Sequence, residues 1–339
     1  FLTWVACVSA LQHNPLWIYG MVGALGGLAY LAKGSVSPLL AVFVGVSSLR
    51  CIWEILSARR RGFVLSSASL WHWRNHLVGL VVLGAAHFMV IGPRLQDAHE
   101  KFGDAFQSFP ACWMWMDSYE QAYEWMGKHN TPDTLAALTS AERPSFSNYM
   151  RTHTRDEFLS RLWNGTFGPK NRETGVVGRV PEFFWPQQTR LIKDHEKWSG
   201  WRGILEWRGL YLGWLLLVLL GMLGAVAAAP KAQHAGHVVF RHGTVTIVLF
   251  VLGNLAVYSL AYGFYAPIAR GSGDRFMLSL YLPLVFSLIW GAESVVRRIR
   301  RRKGSPWIAR GYLLAQWILL GALTWRVVEV LRLPKFYNG

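Results

Sequence analysis

Stretches of about twenty apolar residues recur along this chain, near residues 15–32, 36–56, 76–93, 207–229, 243–264, 276–294 and 308–331. A bilayer hydrocarbon core about 30 Å thick needs about 20 mostly apolar residues per crossing helix. Within hydrocarbon every backbone N–H and C=O has to be satisfied inside the segment, and a helix does this. The runs therefore predict an all-α polytopic membrane protein with about seven complete transmembrane helices. A shorter apolar run at residues 1–12 reads as one further, partial helix. The chain opens on Phe1 inside that run, with no charged n-region, which predicts an N-terminally truncated piece of a longer protein.

Charge placement orients these helices. Only 16% of residues are charged and 52% are hydrophobic, where a soluble protein carries about a quarter charged. The net charge of +16 would suit nucleic acid. However, nearly all acidic residues lie between Pro93 and Glu206, the exceptions being Glu54, Asp274, Glu293 and Glu329. The basic excess thus belongs to the membrane part, where it sets topology, and no nucleic-acid partner is implied. Arg59, Arg60, Arg61 and Arg74 fall in one short connection, Lys231 and Arg241 in a second, and the run from Arg297 to Lys303 in a third. Alternating helices put all three on the cytoplasmic side, where the arginine run reads as a stop-transfer cluster touching anionic lipid. The hairpin around Lys33, the window 94–206 and the loop 265–275 then face outward. This gives three regions: 1–93, 94–206 and 207–339.

The outer window of about 110 residues lies between the third and fourth complete helices and reads as a mainly helical extracytoplasmic domain. Helical patterns cover 117–129 and 131–142, the second with Thr131 as N-cap and Pro132 in the first turn. Residues 164–181 read as loop. Trp113, Trp115, Trp125, Trp163, Trp185, Trp198 and Trp201 crowd the window. Tryptophan suits the membrane–water boundary, where ring and N–H are both satisfied, so a domain lying on the outer leaflet is expected. The competing reading makes these rings the core of a small soluble domain. Cys7, Cys51 and Cys112 have neither disulfide-framework nor zinc spacing.

Two outward clusters carry candidate chemistry. In "GLAYLAKGSVSPLL", Lys33 sits in a very short connection just before a helix starting near Ser37-Pro38. One reading is a lysine that snorkels to the interface. The other is a phosphate contact beside the positive end of the next helix. In "YGFYAPIARGSGDRFMLSLYLPL", Arg270, Asp274 and Arg275 precede a membrane helix, with Tyr262 and Tyr265 ending the previous one. This is either an anchoring ion pair or a guanidinium gripping phosphate. Asp117, in "CWMWMDSYEQAYEWM", is a sugar contact or an exposed carboxylate at a helix start. His87 is a packing contact or a site residue within its helix, and His234, His237 and His242 have no metal spacing. The Asn164-Gly-Thr166 sequon is of a kind that arises often by chance.

The hairpin resembles the "GLAxLTKGP" hairpin of multi-pass membrane glycosyltransferases of the C superfamily, the group of protein O-mannosyltransferases and aminoarabinose transferases. Ala32 stands where that family has Thr, and Ser35 where it has Pro. "GDRFMLSLYLPLVFSLIWG" resembles the family's late "RYxLPxxPxLxLL" helix. The resemblance covers the membrane helices and not the tryptophan-rich window. It implies transfer of a sugar from a polyprenyl-phosphate donor to a hydroxyl of a lipid, glycan or protein acceptor at the extracytoplasmic face of a bacterial inner membrane. It places Lys33 near the carrier phosphate, Arg275 with it, and the catalytic acidic residue upstream of Phe1. No fixed cofactor is implied, and a divalent metal is left open. Cations at the phosphate would stabilise charge building on the leaving group, while a carboxylate takes the acceptor's proton. The alternatives are a lipid-linked glycan transporter or flippase, which wants ionisable groups at mid-membrane, and a glycan ligase moving preassembled chains.

Overall fold

A computed structural model of the chain describes residues 1–13, 15–60, 67–139, 141–168 and 235–268, with scattered positions at 216 and between 307 and 325. All regular structure among the described residues is helical. Two compact units are present, one of residues 1–179 with 242–280 and one of 180–241 with 281–339. The account below concerns the first.

Its elements are α1 (Leu2–His13), α2 (Leu16–Ala32), a 3-10 turn (Gly34–Val36), α3 (Ser37–Arg60), α4 (Ser67–Phe102), α5 (Phe109–Trp113), α6 (Tyr119–Lys128), α7 (Pro132–Ala136), α8 (Phe146–Thr152), α9 (Arg155–Phe167) and, from residue 242 on, α10 (Ala235–Tyr265). Among the described residues three stretches are long and apolar enough to cross a membrane, Ser37–Leu56, Arg74–Phe102 and Val245–Tyr265, and Leu16–Ala32 is a shorter apolar helix. The apolar runs at 15–32, 36–56, 76–93 and 243–264 thus each fall within a helix. That at 276–294, all of 207–229 but residue 216, and most of 308–331 lie outside the described residues, as do Arg270, Asp274 and Arg275.

The run expected to end at Pro93 does not end there. Helix α4 passes through Pro93 and has 36 residues, about 54 Å at 1.5 Å per residue. A proline inside a helix removes one backbone bond, here the one to the Met89 carbonyl. The turns beyond it are supported by Asp97–Lys101 at 2.7 Å and Gln96–Glu100 at 2.9 Å. Gly103, with φ of 68°, then closes the helix, its N–H donating to the His99 carbonyl at 2.9 Å.

Glycine sets the closest helix contact. A Cβ at Gly23 would lie 2.2 Å from the Leu83 carbonyl oxygen, one at Gly27 2.7 Å from Val90 Cβ, and one at Gly79 2.6 Å from the Tyr19 ring. Small residues let two backbones approach where no hydrophobic drive separates helix from lipid. The pairs 19–79, 23–83 and 27–90 advance together, so α2 and α4 are parallel. Leu40 packs at Gly26 and Phe43 near Tyr19, so α3 is antiparallel to α2. Val42 packs at Gly253 and Phe43 on Phe250, which makes α10 antiparallel to α3. Trp4, Tyr19, Phe43 and Phe250 are fully buried where these helices meet. The C-terminal ends of α2, α4 and α10 therefore share one end of the bundle with Lys33, and α5–α9 follow α4 there as a cap.

The cap's short helices are nucleated by side chains. Ser108, Ser118, Thr131, Ser145 and Thr154 each accept a first-turn backbone N–H from the N-cap position. The helix expected over 131–142 starts as read but ends at Ala136, because Glu142 takes the Thr139 N–H and hydroxyl into a separate turn. The loop expected from residue 164 begins later, since α9 runs to Phe167. Its Gly165 packs against the backbone of Gly263, where a Cβ would stand 1.9 Å from the carbonyl oxygen. That contact holds the last turn of α9 in place.

Glu157 closes a capping box, accepting from the Thr154 N–H at 2.7 Å and hydroxyl at 3.0 Å. These donors hold its carboxyl below the ordinary value of 4.5. A depressed carboxylate contributes stability above its unfolded value and loses it as pH falls through the folded one. Glu157→Ala should therefore lower the melting temperature at pH 7, and the gap to the parent should close below about pH 4. An unchanged gap at low pH would show that the box is not charge-assisted.

Candidate functional site

Lys33 is the C-cap of α2 and the N-cap of the following 3-10 turn, in extended conformation. Its N–H donates to the Ala29 carbonyl at 2.8 Å and its side chain is exposed. The Ser37 hydroxyl donates to Gly34 O at 2.9 Å, which tightens the connection into α3. The Tyr258 hydroxyl is hydrogen-bonded to the backbone of Leu39, tying the upper part of α10 to the first turn of α3. The Tyr262 ring lies tilted against that of Tyr258, with centroids 5.6 Å apart. Tyr265 packs with Trp113 and Trp125 against Met116, Ala122 and Ile268. Lys33, Tyr262 and Tyr265 thus share one end of the bundle, with Tyr265 built into the cap rather than turned to the hairpin.

The most heavily bonded polar centre at that end is one the sequence reading missed. Arg161, on α9, donates from Nε to the Phe264 carbonyl at 3.0 Å and from Nη2 to the Met114 and Met116 carbonyls at 3.1 and 2.7 Å. Its Nη1 reaches Asp117 Oδ1 at 3.2 Å. The guanidinium lies 4.2 Å from the Phe264 ring centroid and 5.3 Å from that of Tyr149, a cation–π arrangement. Four of its five donor hydrogens are used, so Arg161 staples α9, the α5–α6 connection and the end of α10 together. Its sequence signal was a lone arginine between Phe158 and Gly165 on one helical face.

His153 also approaches Asp117, its Nε2 lying 3.2 Å from the same Oδ1. His153 Nδ1 is held by Thr152 Oγ1 at 2.9 Å and the Tyr149 carbonyl at 3.1 Å, and its ring stacks on Tyr149 at 3.9 Å. These contacts fix the orientation of the His153 ring beside Asp117. Among the described residues no protein donor reaches Asp117 Oδ2, and the carboxylate is half exposed. Two residues on in sequence, Tyr119 stacks on Tyr123 at 6.0 Å, and both rings are exposed.

The tryptophans divide. Trp115 packs with Phe146, Tyr149 and Phe264 at 5.4–6.1 Å as part of the cap's own core, whereas Trp163 is 64% exposed. Burial pushes the Cys112 thiol up, which leaves it inert. Among the described residues no group of three or more His, Cys, Asp or Glu is placed to hold a metal ion.

A second polar group lies inside the bundle, nearer its other end. Arg50 of α3 is buried, donates from Nε to Glu54 at 2.9 Å and from Nη1 to the Leu11 carbonyl. The Tyr19 hydroxyl shares a hydrogen bond with His76 Nδ1, and Arg50, Glu54, Cys51 and Cys7 lie within electrostatic range of it. Sequence reading offered His87 as the interior candidate. The structure puts His87 against Tyr30 at 6.1 Å, with Nδ1 buried and no hydrogen-bond partner for it among the described residues, and adds Arg50, Glu54 and His76 within the bundle.

No protein-family model matches the chain, and no curated protein or solved structure is significantly similar to it.

Proposed function

We propose that this chain is part of a membrane glycosyltransferase that moves a sugar from a polyprenyl-phosphate donor to an acceptor hydroxyl. The observation that supports it is the exposed Lys33 at the tip of the α2–α3 hairpin, on the same bundle end as the aromatic cap that carries Asp117. In this reading the chain crosses a bacterial inner membrane with about seven complete helices and one partial one. The cap stands on the outer face. The bond between the sugar's anomeric carbon and the phosphate oxygen breaks, and its electron pair leaves with the phosphate. Lys33, with Arg275, holds that growing charge, an electrostatic contribution of about 10²–10³ in rate for each donor. The acceptor oxygen bonds to the anomeric carbon and its proton passes to a carboxylate. Asp117 turns its remaining oxygen to a sugar hydroxyl, and the Tyr119–Tyr123 pair offers ring faces beside it.

The test is transfer of radiolabelled sugar from synthetic polyprenyl-phosphate donor to membrane acceptors by the protein in liposomes. Lys33→Ala should lower transfer by about 10²-fold or more with unchanged expression and melting temperature. Lys33→Arg should keep part of it. Wild-type transfer in Lys33→Ala would remove the phosphate assignment.

A second reading, a lipid-linked glycan flippase, is favoured by one observation. The Arg50–Glu54 pair and the Tyr19–His76 contact are buried among apolar helices, where ionisable groups mark transport paths. Movement of a labelled lipid-linked sugar between leaflets, with no transfer product, would select that reading.

A further inference from the structure

Helix α9 carries an exposed apolar stripe. Leu159, Trp163 and Phe167, four residues apart, are 57%, 64% and 45% exposed. Residues at i, i+4 and i+8 line one face of a helix. The neighbouring face is fixed to α10: Phe158 lies 5.2 Å from Phe264, Arg161 bonds the Phe264 carbonyl, Gly165 abuts Gly263, and Thr166 Oγ1 lies 3.4 Å from the Ser259 carbonyl. These contacts run down α10 as α9 runs forward. Ser259 belongs to the apolar span Val245–Tyr265, six residues from its end. That is about 9 Å of depth at 1.5 Å per residue. On that span Leu252, Val257 and Leu260 are also exposed.

We infer that α9 is an interfacial helix that wedges its C-terminal half into the bilayer, with Leu159, Trp163 and Phe167 against lipid and progressively deeper in that order. The depth is that of helices lying in the headgroup–acyl boundary, about 5–10 Å. Trp163 suits this level, because its ring is apolar while its N–H meets headgroups. The polar first turn, Arg155-Asp156-Glu157, stays above. Phe167 packs on Trp163 at 4.8 Å, making the two rings one apolar block. The inference needs α10 to cross a bilayer and does not depend on the transferase activity.

Site-directed spin labelling in phosphatidylcholine–phosphatidylglycerol vesicles tests it. The native Cys7, Cys51 and Cys112 are buried, and unsubstituted protein serves as the labelling blank. Leu159→Cys, Trp163→Cys and Phe167→Cys report the stripe, Asn164→Cys the polar face, and Val257→Cys the span. Accessibility to oxygen relative to a polar nickel chelate should rise from 159 to 163 to 167, approaching the Val257 ratio at 167, and should be reversed at 164. A chelate-dominated ratio at 163 and 167, with oxygen dominant at 257, would overturn the inference, because the stripe would then face water. Labels at 163 and 167 reached by neither reagent would overturn it in favour of a protein partner. Chelate dominance at 257 would remove the bilayer span and the inference with it. Where Trp163→Cys fails to fold, Phe167→Cys decides alone.

Discussion

Arg161→Ala should destabilise the cap by about 3–5 kcal/mol. The size comes from what is left behind. The Phe264, Met114 and Met116 carbonyls each lose a charged donor, and an unpaired buried acceptor costs about 1–3 kcal/mol. The Asp117 contact adds little by itself, since that carboxylate is half exposed and screened by water. Thermal melting in detergent should show a fall of roughly 6–12 °C. Asp117→Asn should move the midpoint by less than about 2 °C on the same scale. Arg161→Lys should fall between, because an ammonium keeps the charge but not the planar fork. Equal midpoints for Arg161→Ala and the parent would show that the cap does not depend on this staple.

Arg50→Leu is expected to be as damaging, for a different reason. It leaves Glu54 charged beside apolar helices and removes the donor to the Leu11 carbonyl. Removing one partner of a buried ion pair costs about 3–5 kcal/mol, whereas replacing both by apolar side chains is often near neutral. The double variant Arg50→Leu/Glu54→Leu should therefore recover most of the melting temperature lost by the single one. A double variant no better than Arg50→Leu would mean that the bond to Leu11, not the pair, is what α3 needs. If the pair served transport, the double variant would be stable but would move no lipid-linked sugar, which separates the two readings of the bundle.

Much of the described fold was legible because its signals are local. Apolar runs of membrane length mark α2, α3 and α10, and Thr131 with Pro132 marks the start of α7. Pro93 misled because a proline reads as a terminator, yet one missing hydrogen bond is small against the packing of a 36-residue helix. The site was legible in outline only. Lys33 was readable as a residue between two helix ends, and Asp117 as a carboxylate near a helix start. Arg161 was not readable as a hub, because three of its acceptors are backbone carbonyls and one, on Phe264, is 103 residues away. Arg50 and Glu54 had the i, i+4 spacing of an ion pair, but its burial depends on α1 and on Leu11, 39 residues earlier.

The parallel seam between α2 and α4 has a consequence for biogenesis. Helices that run the same way through a membrane cannot be laid down as a hairpin. In the membrane reading α3 crosses in between, and the α2 face at Gly23 and Gly27, against which α4 packs, is filled only once α4 is made. The hairpin that bears Lys33 is therefore made early but positioned late, when its third helix docks. A chain arrested after α3 would hold the same lysine on a loosely seated pair of helices. The order of synthesis, as much as the sequence around Lys33, decides when this end of the bundle takes its final shape.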